Sequence, residues 1–525
     1  MNRSIESRLN RLVSSGQQHL LKGGLKGLEK ESLRITPQGR IAQTAHPAAL
    51  GSTLTHPFIT TDYSEALIEL ITPPFADAAD TLQFLEDLHQ FVYDHLEDEL
   101  LLATSMPCEI EGDQSIPIAV YGTSNIGRMK HLYRRGLAYR YGRAMQAIAG
   151  IHFNYSINEA FWPVYQALLG NSEPLDQFIA DQYFGLIRNT HRYGWLILYL
   201  FGSSPALCKS FFAGREPRTG GFSEFDARTL YRPYATSLRM SDIGYRNDSQ
   251  ATLDISFNNL GEYVASLSKA IGTPYADYEK IGVKVGGEYR QLNANILQIE
   301  NEYYSAIRPK QIAGSGEKPT LALKRRGIRY VELRSVDLGC YDRVGGNLPQ
   351  LRFLELFLLC CLLEESPPLT PEEKKETGDN SLGVACCGRT PGFTLRRGGR
   401  EIRLRDWALE FSKTLHAVAE ILDEGERGRP YGKGLDGLFN AIADPESTPS
   451  ARVLAEMRER GESFQDFALR LSRWHASGFR GRNLAGERAA EFRREAEESL
   501  REQQRIEAGD ALDFDEFLQK YFAQA

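Results

Sequence analysis

Cysteine is scarce in this sequence and poorly spaced for any staple. Cys108, Cys208, Cys340, Cys360, Cys361, Cys386 and Cys387 form no Cys-x-x-Cys pair, their number is odd, and two pairs are adjacent. That excludes a disulfide framework and argues against zinc. Long apolar runs are missing too. The richest, residues 195–201 and 353–363, fall short of the roughly 20 residues a membrane-spanning helix needs, and Glu355 interrupts the second. Residues 1–8 lack the apolar stretch of a secretory leader, so a cytoplasmic protein without a membrane contact is expected. Positive charge is not in excess. The 62 Lys and Arg face 69 Asp and Glu, a net −7, which speaks against nucleic acid as a partner. No P-loop is present, because the nearest approach, 314–319, ends in Pro where a hydroxyl residue belongs. The one Gly-x-Gly-x-x-Gly, at 432–437, follows a polar stretch instead of a strand and reads as a loop.

The 525 residues, 42 % apolar, suffice for a large core. Ile5, Leu9 and Leu12 mark an amphipathic helix within 1–25, and Leu82, Leu85, Leu88, Val92 and Leu96 mark another. Residues 160–203 read as helical. Strands are predicted over 27–35, 66–71, 151–157, 289–300 and 330–337. Strands and helices do not alternate regularly, so the class is α+β and not a doubly wound sheet. A catalytic region over 1–365 and a mostly helical, charged C-terminal region over 366–525, packed on it, are expected. Residues 366–382 read as an exposed loop, and 487–505 as a solvated helix face with ion pairs four residues apart.

The informative features are polar pairs at spacing two inside strand-like runs, since alternate side chains share a face. Glu29 with Glu31, His152 with Asn154, and Glu332 with Arg334 follow this pattern. Glu69 interrupts an apolar run, and Glu300 and Glu302 flank Asn301. Carboxylates crowded on an otherwise apolar face are costly unless a cation compensates them. Several oxygen ligands plus one imidazole suit Mg²⁺ or Mn²⁺ better than zinc. Metal held by carboxylates points to phosphate chemistry, in which a guanidinium also helps; Arg134, Arg239, Arg308 and Arg334 are candidates.

Eight blocks, in order, resemble the proteobacterial glutamate–cysteine ligase family. They are Gly27-Leu28-Glu29-Lys30-Glu31-Ser32-Leu33-Arg34, then Ile59-Thr60-Thr61-Asp62-Tyr63-Ser64-Glu65-Ala66-Leu67-Ile68-Glu69, Ser105-Met106-Pro107-Cys108 and Tyr121-Gly122-Thr123-Ser124-Asn125. Gly150-Ile151-His152-Phe153-Asn154-Tyr155-Ser156, Pro233-Tyr234-Ala235-Thr236-Ser237-Leu238-Arg239, Gln298-Ile299-Glu300-Asn301-Glu302 and Val331-Glu332-Leu333-Arg334-Ser335 complete them. The resemblance covers about 20–365, weakens toward the end, and leaves the tail with Cys386 and Cys387 outside the family's pattern. It implies a curved antiparallel sheet like that of glutamine synthetase, with flanking helices. It implies ligation of the glutamate γ-carboxylate to the cysteine amine through γ-glutamyl phosphate, with ATP as co-substrate and Mg²⁺ (or Mn²⁺) as cofactor, in a monomer. Glu29, Glu31, Asp62, Glu69, His152 and Glu332 would hold metal, and Arg334 with Glu69 would serve catalysis. Tyr133, Arg134, Arg239 and Tyr245 would line the amino-acid pockets. Two alternatives stand beside this reading: a ligase of the same scaffold with another amine acceptor, and a catalytically dead nucleotide-binding regulator. The intact Glu29, Glu31, Glu69, Glu332 and Arg334 speak against the second.

Overall fold

The computed structural model describes residues 3–212, 220–244, 253–314, 316–482, 484 and 486–524. Its centre is a seven-stranded sheet built from β1 (Leu25–Ile35), β2 (Ile59–Thr61), β3 (Leu67–Ile71), β4 (Leu100–Leu101), β5 (Ile151–Ser156), β6 (Ile307–Lys310) and β7 (Tyr330–Val336). The strand order is β6-β7-β5-β1-β3-β2, with β4 pairing off the end of β1, and every pairing is antiparallel.

Period-two alternation gives the sheet two unlike faces. Leu28, Ile68, Leu70, Phe153, Tyr155, Val331 and Leu333 are buried on one face, where the Ala78–Tyr93 and Leu348–Leu363 helices pack. The second of these helices starts at Asn347, whose side chain accepts from the Gln350 N–H, with Pro in the first turn. It is apolar all round because the Leu175–Tyr193, Leu404–Leu422 and Pro430–Ala443 helices enclose it. Its one buried charge is Glu355, Arg352 lying at its partly exposed edge. Lys26 of β1 lies 2.7 Å from Glu355 and also donates to the Gly24 and Ala76 carbonyls, while the Tyr431 hydroxyl donates to the other Glu355 oxygen at 2.7 Å. Gly24 makes room for this arrangement, since a Cβ there would stand 2.4 Å from the Tyr155 hydroxyl.

The predicted helix over 160–203 is three helices, Phe161–Leu169, Leu175–Tyr193 and Trp195–Phe201. The N-terminal helix spans Arg3–Ser14, with Ile5, Leu9 and Leu12 buried as the spacing predicts. Three expectations are corrected. Residues 366–382 are a loop only as far as 370. Pro371–Cys387 is a helix, started by Thr370, whose side chain accepts from the Glu373 N–H, and packed on Trp195–Phe201. The Pro-Glu-Glu that reads as a loop is a helix start. The predicted strand over 289–300 shrinks to Glu288–Tyr289. Beyond it Gln298 and Asn293 bond to nearby main chain, drawing the segment away from a ladder. The glycines at 432–437 lie inside the Pro430–Ala443 helix. The charged stretch after 486 is helical, and its ion pairs, Arg488–Glu491 and Glu502–Arg505, are three residues apart. Its Phe492, Ala496 and Ser499 are buried, so one face packs while the rest is solvated. All seven cysteines are free thiols.

The buried Lys26–Glu355 pair yields a stability prediction. Lys26→Met leaves a buried carboxylate uncompensated and is expected to cost about 3–5 kcal/mol, with Lys26→Met/Glu355→Gln recovering part of the loss. Urea unfolding followed by fluorescence checks this; a single variant as stable as the parent refutes it.

Candidate active site

The other face of the sheet carries the polar residues, and the strand register brings them together. Glu31 pairs with Glu69 across β1 and β3, and Thr60 pairs with Glu69 across β2 and β3. Glu29 pairs with His152 across β1 and β5, Asn154 with Glu332 across β5 and β7, and Arg308 with Glu332 across β6 and β7. A continuous polar band thus crosses six strands.

Within it, Glu29 Oε2 lies 3.1 Å from His152 Nδ1, and Glu29 Oε1 accepts from Asn154 Nδ2 at 2.8 Å. Glu31 Oε2 accepts from the Gly150 N–H at 2.7 Å, and its other oxygen stands 3.8 Å from His152 Nε2. Glu332 receives Lys310 Nζ at 3.0 Å and Arg334 Nη1 at 3.1 Å. One ligand atom each from Glu29, His152 and Glu332 lies within 4.8 Å of the others. This grouping can hold a divalent cation.

The two flanks differ in electrostatics. Burial and Glu332 push the Glu29 carboxyl up, but the hydrogen bond and charge of His152 and the charge of Lys310 outweigh them and hold it below the usual carboxylate value. Burial also opposes ionisation of Glu332, yet Lys310, Arg334, His152 and Arg308 hold it well down. Burial lowers His152, with Arg334 adding to the effect, which favours the neutral imidazole. On the β3 flank the balance reverses. Burial and Asp62 push Glu31 up to about 8, against Arg239, Arg334 and the Gly150 N–H. Burial, Glu29, Asp62 and Glu31 raise Glu69 well above the usual carboxylate value. Negative charge crowds there with too little compensation.

The remaining predicted residues take distinct places. Asp62 is partly exposed, and its carboxylate lies 3.8 Å from Arg134, which also donates to the Asp62 carbonyl and stacks on Tyr121 at 4.6 Å. Tyr133, beside it on the Asn125–Tyr141 helix, packs against the core. Arg239 is buried, and its guanidinium donates to the main-chain carbonyls of Arg334 (2.8 Å) and Val336 (3.2 Å), where the β5–β7 register shifts. Glycine is required at 150, because a Cβ would come 2.1 Å from Arg239 Nη2. Arg308 faces Glu332 at 3.9 Å and bonds the Asn301 carbonyl. Tyr245 lies outside the described residues. Glu300 and Glu302 do not join the band. Glu302 is in a fully buried pair with Arg140 at 2.9 Å, and Glu300 accepts from the Thr320 hydroxyl. A cavity of about 240 Å³ is lined by Arg334, Arg239, Tyr303 and Tyr304, and also by His191 and Lys374.

The chain as a whole has close counterparts in sequence and fold. Residues 9–384 match the sequence profile of the family described as glutamate–cysteine ligase. The glutamate–cysteine ligase of Pseudomonas entomophila (strain L48) is 50 % identical over 98 % of this chain and 97 % of its own length. The chain belongs to the glutamate–cysteine ligase family. The Alcanivorax borkumensis ligase is 47 % identical over 99 % of both chains. The crystal structure of the Francisella tularensis ligase in complex with AMP has a TM-score of 0.90 at 36 % identity, covering 95 % of this chain and 98 % of that one. A bifunctional glutathione synthetase from Pasteurella multocida has a TM-score of 0.69 at 25 % identity, and 55 % of its chain is covered.

Matches of this extent correct the expectation that the tail departs from the family, because relatives align through the C-terminal region as well. One member of the polar band, and one bond within it, do not stand out in the sequence. Lys310 follows Arg308 at spacing two between Ile307 and Pro309, which is the alternation that marked the other pairs, but four residues are too few to stand out. Asn154 was recognised as sharing a face with His152, yet its bond to Glu29 needs the β1–β5 register.

The raised Glu31 carboxyl has a measurable consequence. Its folded value, about 8, lies above the ordinary 4.5, so its contribution to stability is present in acid and lost as pH rises through 8. The metal-free protein is expected to melt at lower temperature as pH goes from about 6 to 9, with Glu31→Gln removing much of the slope and saturating Mg²⁺ reversing it. A flat profile in metal-free protein contradicts the electrostatic reading.

Proposed function

We propose that this chain joins the γ-carboxylate of glutamate to the amino group of cysteine, with ATP cleaved to ADP and phosphate, as the first step of glutathione synthesis. The observation that carries the reading is the carboxylate–imidazole–guanidinium band on one sheet face in a chain of this family. The AMP held by the Francisella relative supports a nucleotide as co-substrate.

The donor set fits Mg²⁺ or Mn²⁺: carboxylate oxygens with one neutral imidazole, and on the β3 flank an excess of negative charge that asks for a cation. Glu29, His152 and Glu332 would hold one ion, and Glu31, Asp62 and Glu69 another. A bound ion supplies neutralisation of the triphosphate and polarisation of the transferring phosphoryl group.

The chain's own residues do the rest. A carboxylate is a poor electrophile, so a glutamate γ-oxygen attacks the γ-phosphorus of ATP, ADP leaves, and an acyl phosphate forms. The cysteine amine then attacks the acyl carbon, loses a proton, and expels phosphate. Arg334 shares the face of Glu332 and adjoins the cavity, so its guanidinium can reach both the transferring phosphoryl and the tetrahedral oxygens. Asn154 and Lys310 hold the carboxylates that would ligate metal. Arg239 fixes the main chain that carries Arg334, and Tyr133 and Arg134 stand on the wall assigned to the amino-acid pockets. A cytoplasmic, monomeric enzyme that binds no nucleic acid is part of the proposal, as is the division at residue 365.

Two measurements test it. ADP release is expected to require both glutamate and cysteine, with 2-aminobutyrate replacing cysteine, because the amine and not the thiol is the nucleophile; strong turnover with ammonia and none with cysteine overturns the assignment. Arg334→Lys keeps the charge but loses the planar fork. A kcat loss of about tenfold to a thousandfold, with little change in glutamate KM, is expected. A change confined to KM assigns Arg334 to ground-state binding instead.

A further inference from the structure

Residues 486–524 form a strap that no part of the polar band explains. The Gly486–Gly509 helix lies across the turn at 50–55, and its Ser499 side chain and carbonyl bond the Ser52 N–H and the Thr55 hydroxyl. Gly51, at φ +82°, is needed there, because a Cβ would meet Ala496 Cα at 2.8 Å. Further along, Glu507 accepts from the Thr123 N–H at 2.8 Å, Asp510 accepts from the Asn125 N–H, and the Leu512 carbonyl accepts from Asn125 Nδ2 at 2.9 Å. Asp510 thereby places a carboxylate on the N-terminus of the Asn125–Tyr141 helix, where the helix dipole favours it. The Phe514–Phe522 helix then covers the outer side of that helix. Phe514, Leu518 and Tyr521 form an apolar cluster with Met129, Leu132 and Leu292, separate from the main core. Arg128 stacks on Phe514 at 4.2 Å, and the Tyr289 hydroxyl donates to Asp515 at 2.6 Å.

The clasped helix carries Tyr133 and Arg134 on the site side. Arg134 grips the Asp62 main chain, and Gln298 ties the Tyr133 carbonyl to the Leu292 N–H. The strap therefore grips, through Leu292 and Tyr289 on one segment and Met129 and Leu132 on another, the two pieces of chain that Gln298 ties together behind Tyr133.

We infer that the strap, through Phe514 and Asp510, positions the amino-acid-binding wall of the site: both are positioning residues, acting through the Asn125–Tyr141 helix. The inference rests on the proposed reaction. Glutamate, cysteine and ATP are therefore varied in turn with the full-length parent, Phe514→Ala, Phe514→Leu and Asp510→Ala, alongside thermal melting. In Phe514→Ala and Asp510→Ala the KM for glutamate or cysteine is expected to rise about fivefold to fiftyfold, the scale of a small misplacement of binding groups, while the ATP KM stays within about twofold. Phe514→Leu, which refills the apolar seat, is expected to restore most of the amino-acid KM. A merely structural role would lower the melting temperature and the active fraction, and leave all three KM values alone. Unchanged KM values, a parallel rise in all three, or a Phe514→Leu chain that no longer melts cooperatively each overturn the inference. A parent that releases no ADP with glutamate and cysteine refutes the proposed function instead, so the two failures are distinguishable.

Discussion

Like charges held close together on one buried sheet face are the constraint around which this structure is arranged. Glu29, Glu31, Glu69 and Glu332 stand on neighbouring strands of a tight ladder, where mutual repulsion and lost hydration both oppose folding. The β7 flank meets this with cations of its own. Lys310, Arg334 and Arg308 surround Glu332 and keep it ionised. On the β3 flank the cations among the described residues, Arg239 and Arg334 at Glu31 and Arg134 at Glu69, do not offset burial and the neighbouring carboxylates, and both carboxyls are pushed toward their protonated forms. A protein that needed only to be stable would have no use for such a flank. One that must draw in divalent cations and a polyphosphate has a direct use for it, because the binding free energy is released where the fold is strained electrostatically.

The opposite face explains how the sheet tolerates this. It is apolar and closely covered, and its buried Lys26–Glu355 pair is held by carbonyls and a tyrosine hydroxyl as well, so it ties β1 to the central helix with both charges hydrogen-bonded. At the end of β7 the same economy recurs. Asp337 accepts from the Ser203 N–H and the Ser204 and Ser237 hydroxyls, beside Arg239, which in turn holds the Arg334 and Val336 carbonyls. The strand irregularity that sets Arg334 is thus held by a chain of hydrogen-bonded groups reaching into the core.

The C-terminal region belongs to the same logic. Its helices enclose the central helix, and the main core runs without a break from Ile5 to Phe492. Only the last helix leaves that core for a small cluster of its own. Small satellite clusters of this kind bury less apolar surface and open more readily than a main core, so this is the part of the site's surroundings whose packing is most open to adjustment.

Much of this was legible in the sequence. Alternation within single strands put Glu29 with Glu31, His152 with Asn154, and Glu332 with Arg334 on common faces, because a strand's period of two is a local property of the backbone. The absence of paired cysteines and of a regular strand–helix alternation bounded the class in the same local way. Which pairs meet is not local. The Glu31–Glu69 and Glu29–His152 registers join segments 38 and 123 residues apart, and they separate these residues from Glu300 and Glu302, whose spacing looked alike but whose charges serve a buried pair and a hydroxyl. Arg239 reads in sequence as a pocket guanidinium, yet the fold turns it onto main-chain carbonyls, and the Pro-Glu-Glu at 371–373 starts a helix because a packing surface awaits it. Residue type and spacing decided what chemistry the chain could hold; strand pairing and burial decided which residues hold it, since register, low dielectric and competition for hydrogen-bond partners arise only when distant segments meet.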